Sequence, residues 1–119
     1  MQKTLLISIV IVNYRTPKLV IDCLETLLPE IKLLDAKVVI VDNYSQDNSL
    51  LLIADWLNYN DNDNKVTFID APHNNGFSSG NNIGIKKFDS EYCLLLNSDT
   101  LVRKNAINEL IKIMQSNER

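Results

Sequence analysis

The sequence has no basic surplus, few glycines and no long apolar run, and each shortage removes a class of protein. Its 12 lysines and arginines face 15 aspartates and glutamates, a net charge of −3 with a pI near 5.0. Nucleic-acid binders normally show the opposite balance, so no nucleic-acid partner is expected. The longest nearly apolar run, Leu5 to Val12, covers eight residues and contains Ser8. A membrane helix needs roughly 20. No basic start leads into an apolar stretch and a small-residue cleavage site. No membrane-spanning segment or export signal is therefore expected, and the compartment read from the sequence is the cytoplasm, including the inner face of the membrane. Cys23 and Cys93 lack metal-ligand spacing and sit in apolar contexts, so both are expected to be buried and reduced. The three glycines all fall within residues 76–84. No GxGxxG follows the first apolar run and no GxxxxGK[ST] exists, which disfavours a dinucleotide site and excludes a P-loop.

What is present is ordinary globular material. Hydrophobic residues make up 45% and charged residues 23% of 119, enough apolar side chain to order one domain spanning residues 1–119. Residues 5–12, LLISIVIV, read as a strand buried on both faces. Thr16-Pro17 reads as an N-cap with proline at the first helical position. Val20, Cys23, Leu24, Leu27 and Ile31 then recur at helical spacing, with Pro29 expected to end or bend the helix. Residues 37–42 predict a second strand. A helix capped by Asp47 or Ser45 follows, with Leu50, Ile53, Ala54 and Leu57 on its apolar face. Residues 58–64 read as a polar loop, 65–70 as a third strand, 77–88 as a less regular helix and 91–96 as a fourth strand. The last helix, about 104–115, places Ile107, Leu110, Ile111 and Met114 on one face. Trp56 reads as packing, and His73, the sole histidine, as a surface or turn residue. Four βα units predict an α/β three-layer sandwich on a mainly parallel sheet of about four strands.

In such open sheets, ligands bind beyond the carboxyl ends of the strands. Those ends carry Asn13-Tyr14-Arg15, Asp42-Asn43, His73-Asn74-Asn75-Gly76 and Asn97-Ser98-Asp99. Asn, Asp and Gly favour turns in any case. Polar side chains at all four ends exceed what turns alone require. A carboxylate at Asp42 suits an imide N–H or a ribose hydroxyl. One at Asp99 suits a hard divalent cation bridging two phosphates. Gly76, Gly80 and Gly84, interleaved with Ser78, Ser79, Asn81 and Asn82, either admit close approach of a ligand or pack a helix against the sheet.

Together IVIVNYRT, VVIVDNYSQDNS, NNGFSSGNNIGI and YCLLLNSDT resemble the successive blocks of family-2 glycosyltransferases of GT-A (Rossmann-like) fold, nearest the bacterial rhamnosyltransferase-like group. The match runs from about Ser8 to Asp99. It implies the N-terminal donor-binding portion of an enzyme that transfers a sugar, with inversion, from a UDP- or dTDP-sugar to an acceptor hydroxyl. The acceptor would be a saccharide or lipid-linked saccharide of surface polysaccharide synthesis. Val12 and Asn13-Tyr14-Arg15 would line the base and ribose pocket. Asp42 would read the pyrimidine imide beside Asn43. Asn75, Gly76, Gly80 and Asn81 would frame the nucleotide and diphosphate. Asn97-Ser98-Asp99 stands in place of the family's DxD motif with Asn97 for its first acid, which leaves Asp99 to hold Mg²⁺ or Mn²⁺. No candidate for the general base stands in the 20 residues after Asp99.

Two other readings use the same pattern. A nucleotide-sugar-binding module without catalysis shares the site but not the reaction. A phosphoacceptor receiver shares the length and the βα alternation, but it needs an acidic pair where this chain has Asn13-Tyr14, and a fifth strand ending in lysine.

Overall fold

The computed structural model describes residues 4–117. The apolar runs form four strands: β1 (Leu5–Asn13), β2 (Ala36–Asp42), β3 (Val66–Asp70) and β4 (Ser90–Leu96). Helices α1 (Pro17–Ile31), α2 (Ser49–Asn60), α3 (Phe77–Ile85) and α4 (Ala106–Ser116) alternate with them. All strand pairs are parallel, in the order β3-β2-β1-β4. The expected α/β architecture is therefore present.

The period of two along each strand sorts side chains between two faces. Ile7, Ile9, Ile11, Val38 and Ile40 point to one face and pack with Val20, Cys23, Leu24, Leu27 and Ile31 of α1, Ile53 of α2, and Ile107 and Ile111 of α4. Val39 and Val41 point to the other and pack with Ala71, Ile83 and Phe88. This second face is covered by α3, which lies close because its glycines leave room. A Cβ on Gly84 would collide with Val10, and one on Gly80 would sit 3.0 Å from Val12 Cγ1. For Gly80 and Gly84 the structure thus shows helix–sheet packing. Gly76 is different: its φ of +96° is one that side chains rarely adopt, and no neighbour crowds it.

Several local expectations need correction. Pro29 neither ends nor visibly interrupts α1, which continues to Ile31. Neither Asp47 nor Ser45 is the N-cap of α2. Asn48 occupies that position, while Asp47 Oδ1 accepts the Ser49 N–H at 2.9 Å just ahead of the helix. The α2 face also differs. Ile53 is buried and Trp56 and Leu57 pack against the core, whereas Leu50 and Ala54 are exposed. The helix extends through residues 58–60, which had been read as loop. Cys93 is exposed rather than buried. Strand β4 lies at the sheet edge and α3 covers β1 and β2, so the Cys93 and Leu95 side of β4 stays open.

Candidate functional site

Strand order sets the frame. The chain leaves β1 toward β2 on one side, while β4 lies on the other, so the direction of connection changes at the β1–β4 boundary. That is where parallel open sheets form a crevice beyond their carboxyl ends. The loop after β1 and the Asn97-Ser98-Asp99 segment after β4 flank it.

The ends of β1 and β2 are tied by a buried polar network. Asn13 and Asp42 are register partners. Asn13 Nδ2 donates to Asp42 Oδ1 at 2.7 Å and to Ser45 Oγ at 3.3 Å. Ser45 donates from its hydroxyl to Asp42 Oδ1 at 2.7 Å and from its backbone N–H to Asp42 Oδ2 at 3.2 Å. Asn13 Oδ1 accepts the Thr16 N–H and hydroxyl, each at 3.2 Å. Thr16 Oγ1 in turn meets Ser98 Oγ at 3.4 Å, which links the β1 and β4 loops. Both amide hydrogens of Asn13 are therefore engaged inside the protein, and its side chain is wholly buried. Asp42 is 4% exposed and already accepts three hydrogen bonds, leaving room for about one more acceptance.

Arg15 and Tyr14 form the rim above this network. The Arg15 N–H donates to Ser45 Oγ at 2.9 Å and its Nε to the Ser45 carbonyl at 3.0 Å. The guanidinium lies 5.0 Å from the Tyr14 ring centroid, a cation–π arrangement. Tyr14 is 43% exposed. The next loop is held by Asn43, whose Nδ2 donates to Asn74 Oδ1 and to the Gly76 carbonyl, each at 3.1 Å. Asn74 Oδ1 also accepts the Gly76 N–H at 2.8 Å. Asn43 is 3% exposed, and its Oδ1 has no partner in the protein. Asn75 is exposed, Asn81 is buried in α3, and Val12 is buried beneath Gly80.

Beyond β4, Asn97 and Asp99 are exposed and Ser98 half-buried. Asp99 also bears on the core behind it. Burial pushes the Cys23 thiol up to about 11, and the Asp99 carboxylate adds to the rise. Among the described residues no group of three or more His, Cys, Asp or Glu could hold a metal ion. The oxygen donors at 97–99 include one carboxylate. That set fits a hard divalent cation whose shell is completed by phosphate oxygens, and does not make an all-protein cage.

The structure thus places Asn13 and Asp42 at the paired carboxyl ends of β1 and β2, Asn97, Ser98 and Asp99 just past β4, and Gly76 and Gly80 beside Asn43. Thr16, Ser45 and Asn74, to which the resemblance gave no role, carry hydrogen bonds between the loops. Ser45 had a signal, since Asp-x-x-Ser favours a turn in which the serine returns to the carboxylate. Thr16 was hidden by its helix-start position, where it makes no side-chain cap bond. No helix among the described residues is long and apolar enough to cross a membrane.

A parallel α/β sheet with polar side chains at the carboxyl ends of its strands is of Rossmann-like type, and open sheets of this kind take ligands at the switch point. Comparison with known proteins narrows this. The sequence model described as Glycosyl transferase family 2 matches residues 8–119. The chain belongs to that family. It is 34% identical over 121 residues to a low-salt glycan biosynthesis hexosyltransferase of Haloferax volcanii, covering 97% of this chain and 35% of that protein. It is 28% identical over 113 residues to glycosyltransferase GlyG of Streptococcus pneumoniae, covering 95% and 36%. A mannosyltransferase from Pyrobaculum calidifontis, solved with GDP-Man and Mn²⁺, shares the fold with a TM-score of 0.80 at 16% identity, over 93% of this chain and 32% of that one. The chain spans about a third of the length of each of these relatives.

Proposed function

We propose that residues 1–119 are the nucleotide-sugar-binding portion of a glycosyltransferase that moves a sugar from a nucleoside-diphosphate donor to an acceptor hydroxyl with inversion. The observation that carries this reading is the hydrogen-bonded chain Asp42–Asn13–Thr16–Ser98. It joins a buried carboxylate on β2 to the exposed carboxylate motif after β4. The two ends are two strand spacings apart, about 10 Å. That span suits a nucleotide with its base at Asp42 and its diphosphate at Asp99.

Each residue has a distinct task in this reading. Asp42 offers its remaining lone pair to a base N–H. Asn13 and Ser45 hold that carboxylate in one orientation. Arg15, the cation at the rim, faces the donor's negative charge. Asn43 and Asn74 hold the Gly76 loop in position to frame the nucleotide. Asp99, with Ser98 and Asn97 beside it, would hold Mg²⁺ or Mn²⁺. Such a cation acts as a Lewis acid on the charge that develops on a leaving diphosphate. The inverting reaction also needs a general base to deprotonate the acceptor hydroxyl. None is assigned in this chain. The acceptor, a saccharide or lipid-linked saccharide, would meet the sugar from the open side of β4, and the setting would be surface-polysaccharide assembly in the cytoplasm at the inner membrane face.

Calorimetric titration with UDP, dTDP and GDP, each with and without Mn²⁺, tests the reading. At least one nucleotide should bind saturably, and more tightly with the metal. Absence of binding by all three under both conditions would refute it.

A further inference from the structure

Residues 97–105 join β4 to α4 without regular secondary structure. They carry Asp99, whose carboxylate makes no hydrogen bond or ion pair among the described residues. Its position is therefore set by the chain that bears it. A turn closes locally, with the Thr100 N–H on the Asn97 carbonyl at 3.0 Å. Beyond that, α1 and its cap hold the segment at three points. Thr16, just ahead of α1, meets Ser98 at 3.4 Å. Thr26 Oγ1 accepts the Val102 N–H at 2.8 Å, and Glu30 Oε1 accepts the Asn105 N–H at 2.6 Å. Thr26 and Glu30 lie four residues apart and so share one face of α1. The segment thus runs along the helix from its start toward its last turn.

Two details separate these tethers from ordinary loop packing. The Thr26 hydroxyl spends its only hydrogen on the Cys23 carbonyl at 2.8 Å, so toward Val102 its oxygen acts purely as an acceptor. Asn105 is exposed, and water could serve its N–H, yet Glu30 takes it in a charge-assisted bond. Burial does not require that bond. Its effect is to fix where the segment ends.

We propose that Thr26 and Glu30 are positioning residues for the metal end of the donor: they hold residues 97–105 against α1, so that Asp99 is in place beyond β4 before a cation arrives. This rests on the donor-site reading above and names the part of the chain that supports it at a distance. Neither residue touches donor or cation. One protein carboxylate has no second protein carboxylate to align it. A loose segment would have to be ordered as the metal diphosphate binds, and that ordering opposes binding. Tethering the segment beforehand removes the penalty. The Asp42 end does not depend on Thr26 or Glu30, because Asn13 and Ser45 hold that carboxylate.

The test compares the parent with Thr26→Val, Thr26→Ser, Glu30→Ala and Glu30→Gln by calorimetry with UDP, dTDP and GDP, each with and without Mn²⁺. The quantity read is the ratio of nucleotide Kd without and with the metal. Thr26→Val and Glu30→Ala should each lower that ratio by roughly fivefold, the scale of ordering one backbone residue, with the metal-free Kd unchanged. Thr26→Ser and Glu30→Gln keep the acceptor oxygen and should retain the parental ratio. Amide hydrogen exchange should be slowed at Val102 and Asn105 in the parent and released at Asn105 in Glu30→Ala. A parental ratio in Glu30→Ala, or in Thr26→Val where it folds, would overturn the inference and leave the donor site standing. Equal weakening with and without metal would overturn it too, as would unprotected amides at Val102 and Asn105 in the parent. A parent whose Kd ignores Mn²⁺ would overturn the metal assignment and this inference with it. One that binds no nucleotide would refute the donor-site reading itself.

Discussion

Asp42 ends β2 and Asp99 lies in the turn just past β4, both at the carboxyl ends of one parallel sheet, yet the fold treats them in opposite ways. Asp42 is buried, takes three hydrogen bonds from Asn13 and Ser45, and has about one acceptance left. Asp99 is exposed, in the turn that follows edge strand β4, beside two neutral oxygen-bearing side chains. On the donor-site reading proposed above, the difference teaches how one domain would handle the two ends of a nucleotide. A base would need a single acceptor in a fixed direction, which a carboxylate locked by neighbours supplies. A metal diphosphate would bring its own charge and most of its own ligands, so a carboxylate holding it could be left free. The same contrast between a built interior and an open rim extends to the cysteines and the glycines.

The sharpest way to break the contrast is to remove each carboxylate. Asp42→Ala strands the Asn13 amide and the Ser45 hydroxyl in the interior, and should cost about 3 kcal/mol in urea denaturation. Asp99→Ala should stay within about 0.5 kcal/mol of the parent. Similar losses for the two would erase the distinction.

The thiols provide the next test. Cys23 is wholly buried and its folded pKa is raised from 9.0 to about 11. The folded state therefore holds the proton more tightly than the unfolded chain. This contribution is complete below pH 9 and lost as pH rises toward 11, a decline on the order of 2 kcal/mol. Cys23→Ala should remove that component of the alkaline decline in a denaturation series across the same window. At pH 8 an aromatic disulfide reagent should titrate Cys93 in the native protein and Cys23 only after denaturation. Rapid native labelling of both would contradict the burial of Cys23.

Two smaller effects probe the packing under the rim and the link across it. Gly84→Ala should destabilise by about 1.5 kcal/mol by pressing a methyl into Val10, and Val10→Ala in the same chain should recover part of the loss. Thr16→Val deletes the hydroxyl between Asn13 and Ser98 and should cost about 1 kcal/mol. Thr16→Ser should restore it in the same thermal-melt assay.

The layers and the order of elements were legible because LLISIVIV and KVVIVD are short, β-branched apolar runs of strand length, and because α1 and α4 carry clean helical spacing. The polar cluster at the strand ends, where the site is proposed, was legible for the same reason. Edge position was not. EYCLLL reads as a buried strand, and only the pairing order shows that Cys93 and Leu95 lack a cover. The face of α2 was obscured by its apolar run SLLLIADWL, in which several faces look hydrophobic. Within the site, residue types suggested contact with a ligand where the geometry shows support. Asn13 looked like a pocket side chain, yet its amide hydrogens are spent on Asp42 and Ser45. Gly80 looked like room for a ligand, yet Val12 and Asn43 lie against it. Such roles depend on which groups are already satisfied, and a one-dimensional pattern does not carry that.

The division of labour between the two carboxylates is tested most directly by the ratio of nucleotide Kd without and with Mn²⁺, measured by calorimetry in the parent, Asp42→Asn and Asp99→Ala. The account predicts that Asp42→Asn binds more weakly in both conditions but keeps the parental ratio, whereas Asp99→Ala brings the ratio to one. A ratio that survives in Asp99→Ala, or collapses in Asp42→Asn, would contradict it.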